Sequence, residues 1–184
     1  MTKLILSVIG HDRPGIIAAV SGILFEKGGN IEAVSQTILQ TQFSGTFIVT
    51  IPATTPVETL REELAAGLNL LGLDVLLRRV EKKEPLPSLI DAEPFVITTQ
   101  GPDQKGLVAR ITAIIARHGV NVTNLQAIFK GGDDPENNIM IYEVDIPRNI
   151  DRQALNRELR QQAEALSLTL NIQHRKIFEE MNRI

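Results

Sequence analysis

Asp12, Arg13, Pro14 and Gly15 stand side by side, and Asn30 follows fifteen residues after Gly15. Ninety-one residues further on, Asp103, Gly106 and Asn121 restore the same Asp, Gly and Asn spacing. An Asp next to a glycine-containing turn at a helix start offers two complementary charges. The free backbone N–H groups of the first helical turn favour an anion, including a carboxylate. The Asp12 carboxylate favours a cation such as an ammonium group. Gly15, lacking Cβ, lets a small ligand approach the main chain, and Asn30 adds both a donor and an acceptor. A free α-amino acid, carrying a carboxylate and an ammonium group, matches that description. The same letters also fit a structural account, with Asp12 as an N-cap, Gly15 as a packing glycine and Asn30 as a turn residue.

These residues lie in a long internal repeat. "GHDRPGIIAAVSGILFEKGGNI" (10–31) and "GPDQKGLVARITAIIARHGVNV" (101–122) share seven identities in 22 positions. "TFIVTIP" (46–52) then answers "IYEVDIP" (141–147), and "LREEL" (60–64) answers "LNREL" (155–159), at an offset of 95. The four additional residues fall in the loop "KGGDDPENN". Between the copies, "EKKEPLPSLIDAEP" carries three prolines, which fix φ and remove donors, so it reads as an extended linker. The expected division is a first domain over 1–82, a linker over 83–93 and a second domain over 94–184, whose last residues, Lys176–Ile184, read as a short polar tail or short helix.

Within a copy, Leu4–Ile9 reads as a buried strand. Ile16, Ile17, Val20, Ile23 and Leu24 recur at helical spacing, with Asp12 able to cap the start and Gly28 the end. Ile31–Leu39 and Thr46–Ile51 read as paired strands. Thr55-Pro56-Val57-Glu58 has the form of a capping box with Pro at the first helical position, opening a helix through Leu71. Leu73–Val80 closes the copy as a strand. The order β-α-β-β-α-β is the ferredoxin-like arrangement, and the second copy repeats it. The fold class is therefore α+β, two tandem ferredoxin-like units joined by a proline-containing linker.

"DRPGI" after a strand, followed by "GGNI", resembles the ACT domain, a small regulatory module. The resemblance implies the same βαββαβ fold, and amino-acid ligands held at interfaces between paired domains. It places the candidate ligand site on His11, Asp12, Arg13, Pro14, Gly15, Ile16, Asn30 and Ile31, and on Asp103, Gly106, Leu107 and Asn121 in the second copy. There, Gln104 and Lys105 replace Arg-Pro, which removes preorganisation and adds a cation. A free-standing tandem pair is similar to the glycine cleavage system transcriptional repressor group. That likeness implies a regulator of amino-acid metabolism, acting through a partner transcription factor rather than on DNA, with a homodimer possible through ACT–ACT pairing. The first copy also resembles the amino-terminal portion of formyltetrahydrofolate deformylase, whose catalytic domain has no counterpart in the sequence. A regulatory fragment of that kind, or a scaffold that binds no ligand, is the alternative.

The bulk composition narrows the classes. The formal net charge is −3 with no Lys/Arg-rich block, so the basic footprint of direct nucleic-acid binding is missing. The absence of cysteine excludes disulfides and thiolate metal sites. No apolar run reaches the ~18 residues of a membrane span, and no export signal opens the chain, so a cytoplasmic location without membrane contact is expected. No cofactor fingerprint and no acid–base pair repeated between the copies emerges, and a non-enzyme is expected. His118, beside the helix-ending Gly119, reads as a surface residue favouring the helix dipole, and His174 as structural. Asp133, Asp134 and Glu136 lack EF-hand spacing and read as a solvated hairpin loop.

Overall fold

A computed structural model describes residues 1–81, 91–128 and 137–181. The chain forms two compact units, Met1–Lys83 and Glu84–Ile184. In the first, β1 (Thr2–His11), α1 (Ile16–Glu26), β2 (Asn30–Leu39), β3 (Gln42–Ile51), α2 (Val57–Asn69) and β4 (Leu73–Arg79) follow in order. The strands lie β2-β3-β1-β4, every neighbouring pair antiparallel. The second repeats this with β5 (Ala92–Gly101), α3 (Leu107–Arg117), β6 (Asn121–Ile128), β7 (Asn138–Pro147), α4 (Arg152–Ala165) and β8 (Thr169–His174), ordered β6-β7-β5-β8. A last helix, α5 (Arg175–Met181), occupies much of the segment read as a polar tail or short helix.

Alternation builds one wall of each core. Leu4, Leu6 and Val8 point inward from β1, and Phe43, Phe47, Val49 and Ile51 from β3, because successive strand side chains face opposite sides. Ile16, Val20 and Leu24 of α1 and Leu60, Leu64 and Leu68 of α2 supply the helical wall, four residues apart as a 3.6-residue turn requires. In the second unit, Ile97, Tyr142 and Val144 meet Ile111 and Ile115 of α3 and Leu155 and Leu159 of α4. Each unit thus has its own core, with both major helices on one face of its sheet.

Two capping expectations do not hold. The residue at the start of α1 is Gly15, at φ 98° and without a side-chain cap, so Asp12 is not the N-cap. The Asp12 N–H instead donates to the Thr41 carbonyl at 2.8 Å, tying the β1–α1 turn to the β2–β3 hairpin. Nor does Thr55 cap α2. Pro56 is itself the cap residue, in extended backbone, so the hydroxyl of Thr55 stands one position too early and Glu58 pairs with Arg61 at 2.7 Å. In the second unit a carboxylate does cap, since Asp151 accepts from the Ala154 N–H at 2.9 Å. That bond holds the Asp151 carboxyl below its ordinary range.

Both second strands carry the same irregularity, a register shift between Ile31 and Ala33 in β2 and between Val122 and Asn124 in β6. It falls just after each candidate Asn and leaves Glu32 and Thr123 at the bulges.

Candidate functional site at the strand–helix turns

Gly15 shapes the first turn. A Cβ there would meet nothing within 4 Å, so packing does not require glycine; the left-handed φ of 98° does. The open space also leaves the main chain approachable. The first bond of α1 runs from Ala19 N–H to Gly15 O at 2.9 Å, so the preceding amides at the helix start have no helical acceptor. Asp12, Arg13 and Pro14 border this position, and the Asp12 carboxylate has no hydrogen-bond or ion-pair partner among the described residues. His11 is exposed, with Nδ1 3.1 Å from the Asp12 carbonyl. Ile16 turns into the core, so only its backbone can face a ligand. Gly15→Ala is expected to destabilise the first unit by about 1–2 kcal/mol, the cost of left-handed backbone for a residue with Cβ, as measured by thermal unfolding. An unchanged midpoint would show that the turn relaxes freely.

The second turn is built alike but is more occupied. Gly106 adopts φ 86° at the start of α3, and Leu107 is buried as Ile16 is. Asp103 accepts from Asn138 Nδ2 at 3.4 Å, and Gln104 donates to the Leu166 carbonyl at 2.7 Å, anchoring this turn to the α4–β8 connection. Asn138 is buried, and its Oδ1 has no partner among the described residues. Sequence reading missed Asn138. The signal was available: at the offset of 95 it stands opposite Phe43, a polar group replacing a core aromatic beside the turn.

The Asp–Gly turn and the Asn of one unit are not neighbours. Asn30 lies on the sheet row Asn30–Thr50–Lys3, whereas Asp12 follows the row His11–Gln42 at the other end of β1. Eight residues of strand separate the rows, on the order of 25 Å at about 3.3 Å per residue. Asn121, on the row with Asp145 and Pro94, is likewise at the end opposite Gly101 and its turn. Asn30 and Ile31 instead line a groove of about 510 Å³ between α1 and β2, with Ala18, Ser21, Gly22 and Phe25. The small residues Ala18, Ser21 and Gly22 leave room along α1, and Phe25 beside them is 80% exposed.

The remaining polar residues have structural partners. His118 is not a surface residue: its side chain is only 15% exposed, and Nε2 lies 3.2 Å from Glu158 on α4. The turn after α3 folds the ring back between the helices, where Lys27 and Glu63 make the matching contact at 2.7 Å in the first unit. His174 meets Phe95 edge to face at 5.3 Å. Asp133, Asp134 and Glu136 lie outside the described residues. Among those described, no group of three or more His, Asp or Glu side chains could hold a metal ion, and no helix is long and apolar enough to cross a membrane.

Fold and repeat together define a chain of two tandem ferredoxin-like modules. Two family models, each described as an ACT domain, match residues 4–66 and 93–173. The protein therefore belongs to the ACT-domain family, as a tandem pair. A UPF0237 protein of Methanopyrus kandleri is 43% identical over 79 residues, covering 42% of this chain and 88% of the relative. The phosphoserine phosphatase SerB2 of Mycobacterium tuberculosis is 26% identical over 128 residues, covering 68% of this chain but 31% of the phosphatase. Among solved structures, an unknown protein from Galdieria sulphuraria superposes with a TM-score of 0.77 at 22% identity, covering 94% of this chain and 98% of that one. A candidate glycine cleavage system transcriptional repressor gives a TM-score of 0.68 at 17% identity, covering 94% and 96%. Likeness at these identities establishes the shared two-unit fold.

Proposed function

We propose that this protein senses a free amino acid and acts as a regulator, through binding and not turnover, in the cytoplasm. The observation that carries this reading is the division of the site. The first unit presents an Asp–Gly turn at one end of its first helix and an Asn-lined groove at the other, and in the second unit Asn121 likewise stands at the end of the sheet opposite its turn. Antiparallel pairing of two units along the first helix and second strand would set the turn of one against the Asn of the other. A zwitterion held between them, carboxylate on the helix amides and ammonium on Asp12, would tie the two units together.

The sheet edges support this pairing. The β4 edge is guarded by Arg61, which donates to the Leu77 carbonyl at 3.2 Å. The β2 edge from Ala33 to Leu39 carries no charge and no proline, the kind of strand edge that accepts another. A ligand that binds the paired arrangement better than the unpaired one shifts the population, and a partner protein can respond to that shift. We infer glycine or a close relative as the signal and a transcription factor as the partner, since a similar fold occurs in a candidate glycine cleavage system repressor. The five heavy atoms of glycine, at a ceiling of about −1.5 kcal/mol each, limit affinity to the micromolar range, adequate for an abundant metabolite.

Thermal unfolding against a panel of amino acids tests the proposal. At 100 times its dissociation constant the ligand should add about 2.7 kcal/mol. Asp12→Ala should weaken binding by about tenfold or more through loss of the ammonium contact, while leaving the ligand-free midpoint nearly unchanged because Asp12 caps nothing. A flat panel would favour a scaffold that binds no ligand, and unchanged affinity in Asp12→Ala would remove that residue from the site.

A further inference from the structure

The sheet face turned away from α1 and α2 differs sharply between the two units. In the second unit it is polar and partly covered. Glu143 and Gln173 flank Val96 there, and α5 lies against β5 and β8. Arg175, at the start of α5, reaches across the sheet to Glu143 at 3.2 Å and Thr123 at 3.4 Å, and Val96 is 2% exposed. The matching row of the first unit reads Arg78–Ile5–Ile48–Ala33. Ile9 on the same face is 54% exposed and Leu76 51%. The first unit carries Ile48 and Ala33 on this face where the second copy carries Glu143 and Asn124.

The register makes this face complementary to itself. Its middle row is Leu76–Ser7–Thr46–Ser35, bounded on one side by Arg78–Ile5–Ile48–Ala33 and on the other by Asp74–Ile9–Ser44–Thr37. A two-fold axis running across the strands along the middle row superposes each flanking row on the other. Arg78 then meets Asp74 of a second copy twice over, Ile5 meets Ile9, and Leu76 meets itself. Lys3 and Glu32 already pair with each other at one end of the face. Face-to-face sheets packed about 10 Å apart with nearly aligned strands accept this arrangement, and an isologous contact requires such self-complementarity.

We infer that the outer face of the first sheet docks a second copy of this chain, sheet against sheet, about the Leu76–Ser7–Thr46–Ser35 row. The contact lies on the sheet face opposite the helices and is separate from pairing along the β2 edge.

Charge reversal in the ligand-free full chain tests it by sedimentation equilibrium. Asp74→Arg sets Arg against Arg78, and Arg78→Asp sets Asp against Asp74. Either change should raise the dissociation constant of the dimer at least about tenfold, since like charges brought together at an interface are strongly unfavourable. The double variant Asp74→Arg/Arg78→Asp restores opposite charges with the order exchanged and should return the constant close to the original value. Circular dichroism checks that all three variants keep the fold, as is expected for exposed side chains. A chain that is monomeric at high micromolar concentration overturns the inference. So does a dimer indifferent to both single reversals, because that dimer is joined elsewhere. A double variant no better than the singles overturns the pairing of Asp74 with Arg78. The amino-acid panel is read separately, so failure of ligand sensing leaves this result standing.

Discussion

Phe47→Ala is expected to unfold the first unit and leave the second folded. Phe47 is fully buried, at the centre of a core made by Leu4, Leu6, Val20, Leu64 and their neighbours, none of which belongs to the second core. Truncating a buried Phe to Ala typically costs about 3–5 kcal/mol through lost transfer energy and the cavity left behind. A unit of this size holds roughly 0.05–0.15 kcal/mol per residue, so one truncation removes a large share of its stability. The chain has one tyrosine, Tyr142, and no tryptophan, and Tyr142 lies in the second core. Far-ultraviolet circular dichroism should therefore lose part of its signal early on heating, while tyrosine absorbance changes only in a later transition. A single transition shifted equally for both probes would show that the units unfold as one.

The same tyrosine gives the second large effect. Burial pushes the Tyr142 hydroxyl from 10.0 up to about 12, against a smaller lowering influence from its hydrogen bond with Thr99. The hydroxyl also lies 3.1 Å from the Met140 sulfur, with no basic group among its partners there. Because the folded value is raised, the stabilisation is fully present below the unfolded value. It is lost as pH rises through the folded one, so the second unit should weaken progressively between about pH 10 and 12. Phenolate absorbance should rise near pH 12, steeply if unfolding exposes the ring. Tyr142→Phe should remove this alkaline sensitivity while preserving most of the packing. Titration at the ordinary tyrosine value in folded protein would contradict the burial described here.

Much of the fold was legible from local patterns. Alternating Leu4, Leu6 and Val8, and the Ile16–Val20–Leu24 stripe, mark strand and helix because apolar side chains must reach one side of each element. The repeat carried those assignments to the second copy. Capping was less legible, since the Thr55-Pro56-Val57-Glu58 string satisfies the pattern while the cap falls one residue later, on Pro56. Asp12 had two open readings, ligand contact or helix cap. Only the placement of Gly15 at the helix start excluded the cap.

By itself, then, the sequence determined the duplicated βαββαβ order, the glycines at the two turns and the residues whose chemistry suits a zwitterion, because each rests on neighbours within a few turns of chain. Tertiary structure decided what those residues can do together. Antiparallel pairing sends β2 back along β1, so Asn30 ends at the row of Lys3 while Asp12 stays beyond His11. It also decided that Asn138 meets Asp103, and that the two outer sheet faces differ, Arg175 crossing one while Ile9 and Leu76 remain exposed on the other. Such relations depend on strand order and register, which join residues far apart in sequence and leave no mark on the spacing of any one of them.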